Sequence, residues 1–161
     1  MVLTKDTIAS TYPLPAYNYR VTIESLTIGF SEVSGLSVEH EPVTYKHGLS
    51  FAMGSKIIPG MRQPIKVIMK RGMVKKTGSD ATKDVFLSSW FKDTYADPFK
   101  NHKKDILIDL CDEKGNPVIR WNVQGALPIK IEAPTFTANS NDVAIETMEL
   151  IALGLDMSYN P

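Results

Sequence analysis

The sequence predicts a mainly β domain: a β-sandwich or barrel with one α-helix packed on its flank. Three observations point there. Apolar and polar residues alternate with a period of two in short runs along most of the chain. Clusters of Gly, Pro, Asn and Asp separate those runs. Only one clear stretch, at about 82–97, carries apolar residues at spacings of three and four. Many short strands with a single helix have few other ways to bury one face each.

The elements follow in order. Residues 1–16 form a polar lead ending in Tyr12-Pro13-Leu14-Pro15. Two prolines favour an extended arm, which either lies on a neighbouring subunit or frays. Tyr19, Val21 and Ile23 then alternate with Arg20, Thr22 and Glu24, a half-buried strand. A second segment runs from about Phe30 to Lys46, where Val43 and Tyr45 alternate with Thr44 and Lys46. Gly35 and Pro42 interrupt it and predict a bulge or bend.

Residues 47–61 read as a long loop, punctuated by His47-Gly48, Gly54-Ser55 and Pro59-Gly60. Leu49, Phe51, Met53, Ile57 and Ile58 lie inside it, more apolar bulk than a solvated loop needs. Strand alternation returns at 64–71, with Ile65, Val67 and Met69 on one side, Lys66 and Lys70 on the other, and Ile68 breaking the pattern. The helix follows at about 82–97. Its stripe is Phe86, Leu87, Trp90, Phe91 and Tyr95, read as core packing led by Phe86, Trp90 and Phe91. Thr82 or Asp80 caps it, Asp84 complements its dipole, and Asp97-Pro98 ends it.

Four strands are expected after the helix. Ile106, Ile108 and Leu110 alternate along the first, and Asp112-Glu113-Lys114-Gly115-Asn116 turns a hairpin. Ile119, Trp121 and Val123 mark the second; Leu127, Ile129 and Ile131 mark the third. The last, Val143 to Leu155, is ambiguous by period, because Ile145, Met148, Ile151 and Leu155 also suit a helix.

Composition narrows the function classes. A 161-residue chain is expected to be one domain, able to bury roughly 70% of its unfolded surface. Lys+Arg and Asp+Glu balance at 18 each, so nothing pulls the whole chain toward nucleic acid or an anionic membrane. The single cysteine, Cys111, cannot form an intrachain disulfide. Met1 to Ser10 lacks the apolar stretch of an export signal, and no run approaches the ~20 apolar residues of a membrane helix. Synthesis in the cytoplasm is the expectation.

No catalytic, cofactor or metal site is expected. His40 and His47 are seven apart and match no metal spacing, and His102 stands alone. Cys111 has no histidine near it in sequence. No nucleophile elbow, phosphate loop or dinucleotide fingerprint occurs. Asp109, Asp112 and Glu113 cluster at a hairpin, where solvated acids usually sit. The basic run Lys70 to Lys76 lacks a stacking platform and reads as a solvated strand end.

Against that blank chemistry, an ordered series of segments stands out. Tyr19-Arg20-Val21-Thr22-Ile23 is followed by Phe30-Ser31-Glu32-Val33-Ser34-Gly35-Leu36, then Val43 to Gly48, Ile58-Pro59-Gly60 and Ile65 to Gly72. This series resembles the tail tube family of contractile phages and phage-derived particles. Lys104-Asp105-Ile106, Trp121-Asn122-Val123, Ala126-Leu127-Pro128 and Pro134 to Glu146 are similar to tube subunits of extracellular contractile injection systems. The resemblance covers about residues 16–157.

The resemblance implies a sandwich or barrel with one flanking helix, six copies to a ring, and inner strands that join across subunits into one barrel around a channel. It implies that the final segment, 143–155, is a strand. It implies that the hairpin around 30–72 helps to line the channel and carries a ring-stacking loop at 47–61. Leu49, Phe51, Met53, Ile57, Ile58, Pro59 and Gly60 are the stacking candidates. The implied partners are further copies of the chain, a sheath protein, a baseplate, a tube terminator and cargo in the channel. Two other readings fit the same residues: the tail tube of a phage virion that passes DNA, and a monomeric barrel holding a small ligand.

Overall fold

A computed structural model describes residues 12–49, 54–75 and 81–161. Its elements are β1 (Tyr19–Ile23), β2 (Leu26–Ile28), β3 (Glu32–Ser34), β4 (His40–Tyr45), β5 (Lys56–Arg62), β6 (Ile65–Gly72), α1 (Ala81–Ala96), β7 (Lys104–Cys111), β8 (Pro117–Glu132), β9 (Ile145–Ala152) and β10 (Gly154–Tyr159). The chain is mainly β with one helix among the described residues.

One strand organises the rest. β8 is 16 residues long. Its first part pairs with β7 on one side and β10 on the other. Its second part, Leu127 to Glu132, pairs with β9. The strand path is β2-β1-β7-β8-β9-β6-β3, and every pairing is antiparallel. The sheet bends where β8 passes Gly125, at φ 60°. Leu153 sits opposite, between β9 and β10, its N–H donating to the Gln124 carbonyl at 2.9 Å. A Cβ on Gly125 would lie 2.8 Å from Leu153 Cδ1, the movable end of that side chain, so it is chiefly the positive φ that favours glycine at the bend.

Folding at that bend brings two layers together. The first is β2-β1-β7-β8-β10; the second is β3-β6-β9 with the end of β8. Val21, Ile23, Ile106, Ile108 and Val123 from the first meet Ile65, Val67, Met69, Met148 and Leu150 from the second in one buried cluster. Period-two alternation explains the choice: these positions share the inner side of each strand. α1 joins the cluster through Leu87 and Trp90. The Trp90 indole N–H donates to the His102 carbonyl at 2.8 Å, so its one polar atom is satisfied inside.

Several elements differ from the sequence reading. The two strands expected at 119–124 and 127–132 are one, because β8 bends at Gly125 without breaking. The segment 143–155 is a strand, as the resemblance implied, but Leu153 divides it and its second part runs on to Tyr159. β2 was not anticipated; it follows a tight turn at Glu24, whose φ is 55°. The loop expected over 47–61 contains β5 from Lys56 onward. Thr82 lies within the helix and so cannot be its cap, while Asp80 falls outside the described residues. The helix stripe is also rotated. Leu87, Trp90 and Thr94 are buried, Phe86 and Phe91 are half-buried, and Tyr95 is exposed. The Tyr95 ring packs 5.0 Å from that of Phe91, and its hydroxyl donates to the Pro128 carbonyl at 3.0 Å.

Across the outer side of the first layer, Asp109 is buried between two arginines. Arg120 bonds it twice, at 2.6 and 3.1 Å, and Arg20 once, at 3.0 Å. These residues are register partners on β1, β7 and β8, so the triplet crosses three strands. Burial alone would raise the Asp109 carboxyl, but the two guanidiniums outweigh it and hold it below its ordinary value.

Two expectations follow. Trp90→Ala should destabilise the subunit by roughly 3–5 kcal/mol in chemical denaturation, as large-to-small core changes do. Asp109→Asn should cost about 1–3 kcal/mol at neutral pH, discounted because both arginines are partly solvated. Because the folded pKa is depressed, that difference should be complete above the unfolded value of about 3.9 and should shrink as the pH falls through the folded one. A gap that stays constant from pH 7 to pH 2 would remove the linkage.

Candidate subunit interface

Two features of the structure have no use inside one chain: the edges of the second layer, and the β4–β5 ribbon.

The second layer is a four-stranded alternation in the order β3, β6, β9 and the end of β8. β6 and β8 run one way; β3 and β9 run the other. β3 pairs only with β6, through Glu32, Val33 and Ser34. On the far edge β7 reaches only Ala126 of β8, and α1 takes up the Pro128 carbonyl through Tyr95. Beyond that point Lys130 to Glu132 has β9 on one side alone. Among the described residues the layer therefore ends in two short free edges of opposite direction.

Its outer face is covered by ion pairs, most of them across strands and one, Lys130 with Glu132, along β8. Lys66 reaches Glu149 at 2.8 Å, Lys130 reaches Glu132 at 2.7 Å and Glu149 at 3.8 Å, and Lys70 reaches Glu32 at 3.0 Å. The Lys66 hydrogen bond holds Glu149 below the usual carboxylate range, and Glu132 pushes Lys130 up. Three lysines face three glutamates, so these six groups leave no net charge. Ile68 and Ile151 lie among them, which explains why Ile68 broke the expected alternation.

The ribbon leaves this layer at the start of β6. β4 and β5 pair only with each other, as a separate two-stranded sheet. At the root, the Gln63 N–H donates to the Glu39 carbonyl at 2.8 Å. Val43 stands opposite Ile58 and Tyr45 opposite Lys56 on one face; Thr44 stands opposite Ile57 and Pro42 opposite Pro59 on the other. Both faces thus carry apolar side chains, and every residue of β4 is exposed. Ile57 is 73% and Met61 84% exposed. Two strands with no third strand or helix beneath them are marginal alone.

The sequence candidates divide accordingly. Ile57, Ile58, Pro59 and Gly60 are on β5 and Leu49 is exposed at the turn, whereas Phe51 and Met53 fall outside the described residues. Gly60 has a specific reason. The register shifts between His40 and Pro42, leaving Gly60 and Met61 opposite Glu41. A Cβ on Gly60 would lie 2.1 Å from the Glu41 carbonyl oxygen and 2.9 Å from Val43 Cγ2. The bulge expected near Pro42 is there, and glycine lets the strands close around it. Sequence reading missed Val43, Tyr45 and Met61, because alternation reports a half-buried strand whether or not anything covers it. It also missed the free edges, which depend on non-local pairing.

Among the described residues no group of three His, Cys, Asp or Glu could hold a metal, and no helix is long and apolar enough to cross a membrane. Cys111 is buried, its thiol 3.8 Å from the Asp109 carbonyl. His102 bonds the Asp97 carbonyl at 2.9 Å, at the edge of a cavity of about 540 Å³ beside α1.

Comparison with known proteins accords with this arrangement. The pattern of the T4-like virus tail tube protein gp19 family matches residues 15–156. A chain of the sheath–tube complex of an extracellular contractile injection system, PVC, in its extended state, superposes with a TM-score of 0.84 at 27% identity. That match covers 98% of this chain and 99% of the other. A chain from the PVC sheath/tube terminator gives 0.78 at 28%, covering 91% and 97%. One from the tube-terminating cap of the anti-feeding prophage gives 0.78 at 28%, covering 99% of each. No curated protein sequence matches the chain.

Gly60→Ala should part the ribbon strands while sparing the core. Amide exchange in β4 and β5 should quicken roughly tenfold or more, with global stability within about 0.5 kcal/mol of the parent. Unchanged exchange would mean that Glu41 yields and the glycine is dispensable.

Proposed function

The chain belongs to the T4-like virus tail tube protein gp19 family, a structural and non-enzymatic family, and from that premise we propose that six copies close into a ring by edge-to-edge strand pairing and that the rings stack into the inner tube of a contractile injection particle. The observation that carries this reading is the opposite direction of the two free edges. β3 of one copy laid beside Lys130 to Glu132 of the next continues the antiparallel alternation without a break. Repeating that heterologous contact closes a ring when the rotation per copy divides the circle. Closure leaves no open edge, which removes the usual route to uncontrolled strand addition.

In such a ring the ion-paired face of the second layer turns to the channel, and the first layer and α1 turn outward, where a sheath surrounds the tube. The work is mechanical: contraction of the sheath drives a rigid tube, with its cargo, through a target envelope. The ribbon, with Leu49 near its turn and Ile57 to Gly60 along β5, meets the neighbouring ring; the further stacking candidates Phe51 and Met53 lie outside the described residues. A baseplate starts the stack and a terminator ends it. Assembly takes place in the bacterial cytoplasm, and the subunit then resides in the particle. Relatives from sheath–tube and terminator complexes of an extracellular injection system favour such a particle over a DNA-passing virion. A monomeric ligand-binding barrel fits poorly, because the space between the layers is filled by the core.

Oxidative cross-linking tests the ring. Ser34→Cys combined with Lys130→Cys should give a non-reducing ladder of up to six copies from assembled protein. Each single variant should give none, since Cys111 is buried. Six-fold rings in negative stain without a ladder would assign the junction to other strands. A protein that remains solitary at high concentration would end the tube reading altogether.

A further inference from the structure

The far end of the second layer carries a recess that the ring does not use. β6 begins at Ile65, beside the ribbon root, and ends at Gly72, paired with Ile145. Eight residues, seven steps of ~3.3 Å, separate these ends by roughly 23 Å. At the Gly72 end the Met73 N–H donates to the Ala144 carbonyl at 2.9 Å. Around it Met73, Val74, Phe136, Val143 and Ile145 are all exposed, Phe136 by 82% and Val143 by 71%. Residues 135–144 curl around a cavity of about 830 Å³, with Phe136, Val143 and Ala144 in its lining. The curl is held by its own bonds: the Ser140 N–H to the Thr137 carbonyl at 3.3 Å and the Asp142 N–H to Ser140 Oγ at 3.0 Å.

We propose that this recess is the seat for the β4–β5 ribbon of a second copy in the next ring. The inference rests on the stacked-ring reading and goes beyond it by naming the receiving surface. Two facts select the ribbon as occupant. It is an apolar projection with no partner in its own sheet beyond its two strands, so it needs cover. It projects from the end of β6 opposite the recess, so projection and recess face each other when copies stack head to tail. Such a contact joins unlike surfaces and therefore repeats along an axis instead of closing as a pair.

Two variants separate the halves of the contact. Val143→Asp damages the recess and Ile57→Asp damages the ribbon; both positions are exposed, so both proteins should melt as the parent does. Each alone should form rings whose mean stack length in negative stain falls roughly tenfold or more, as loss of a central apolar contact does. Phe136→Asp should repeat the Val143→Asp result. Preformed rings of the two kinds, mixed, should give pairs of rings and nothing longer, because one intact ribbon face meets one intact recess face. Parent-length tubes from Val143→Asp and Phe136→Asp, or no ring pairs in the mixture, would overturn the proposal. Failure of the parent protein to form rings or stacks would instead overturn the tube reading on which it rests.

Discussion

The fold depends on one strand being shared by two sheets. β8 leaves the first layer and enters the second with a hydrogen-bonded partner on one flank throughout, because β10 and β9 follow the same bend beside it, while on the other flank β7 stops at Ala126. A backbone inside a core cannot leave its N–H and C=O groups unpaired, so both strands must turn together. They do so at Gly125 and Leu153, where one chain has no side chain and the other supplies one. From that corner the rest follows. The inner sides of the two layers face each other, α1 fills their flank, and the second layer is left with four strands and two open edges. An even number of alternating strands is what gives those edges opposite directions. With three or five, identical copies could meet only in parallel, a pairing slightly weaker per residue.

Apolar surface is divided between two tasks. The inner residues of both layers account for the stability of the single subunit, with Trp90 as the largest contribution from the helix. A second set, Val43, Tyr45, Ile57, Ile58 and Met61 on the ribbon with Phe136 and Val143 at the opposite end, stays exposed. Scattered exposed apolar residues are normal on any protein. These are gathered at the two ends of one strand, β6. That separation lets the subunit fold before it assembles, since neither set is needed to complete the other.

The sequence made the core legible and the interfaces only partly so. Alternation marked Val21, Ile23, Ile65, Val67, Met69, Ile106 and Ile108 correctly, because the pleat ties face to position whatever the topology. The same rule could not tell one bent strand from two at Gly125, since a glycine reads as a break in either case. It mistook β5 for loop, because Pro59-Gly60 is a turn signal in sequence yet serves here as a bulge against Glu41. It set Tyr95 in the helix stripe, because spacing alone does not show that the buried arc is centred on Leu87, Trp90 and Thr94. The apolar residues at 47–61 were visible as an anomaly. A surface that could receive them was not, because the recess proposed for them is assembled from two segments far apart in sequence, at 73–74 and 135–145.

The ion-paired outer face of the second layer ties these points to assembly. Six copies of a face with a net charge would turn like charges toward one narrow axis, where water is limited and screening is weaker than on a convex surface. That repulsion would oppose ring closure and would recur at every ring of the stack. Pairing of Lys66, Lys70 and Lys130 with Glu32, Glu132 and Glu149 cancels it within each subunit. The pairs span all four strands, so they also reward the one register that places Lys opposite Glu. Exposed pairs of this kind add little stability one at a time. Their larger effect is to make the face neutral before any neighbour arrives, so that in the proposed assembly ring closure is left to the backbone edges and stacking to the apolar ends.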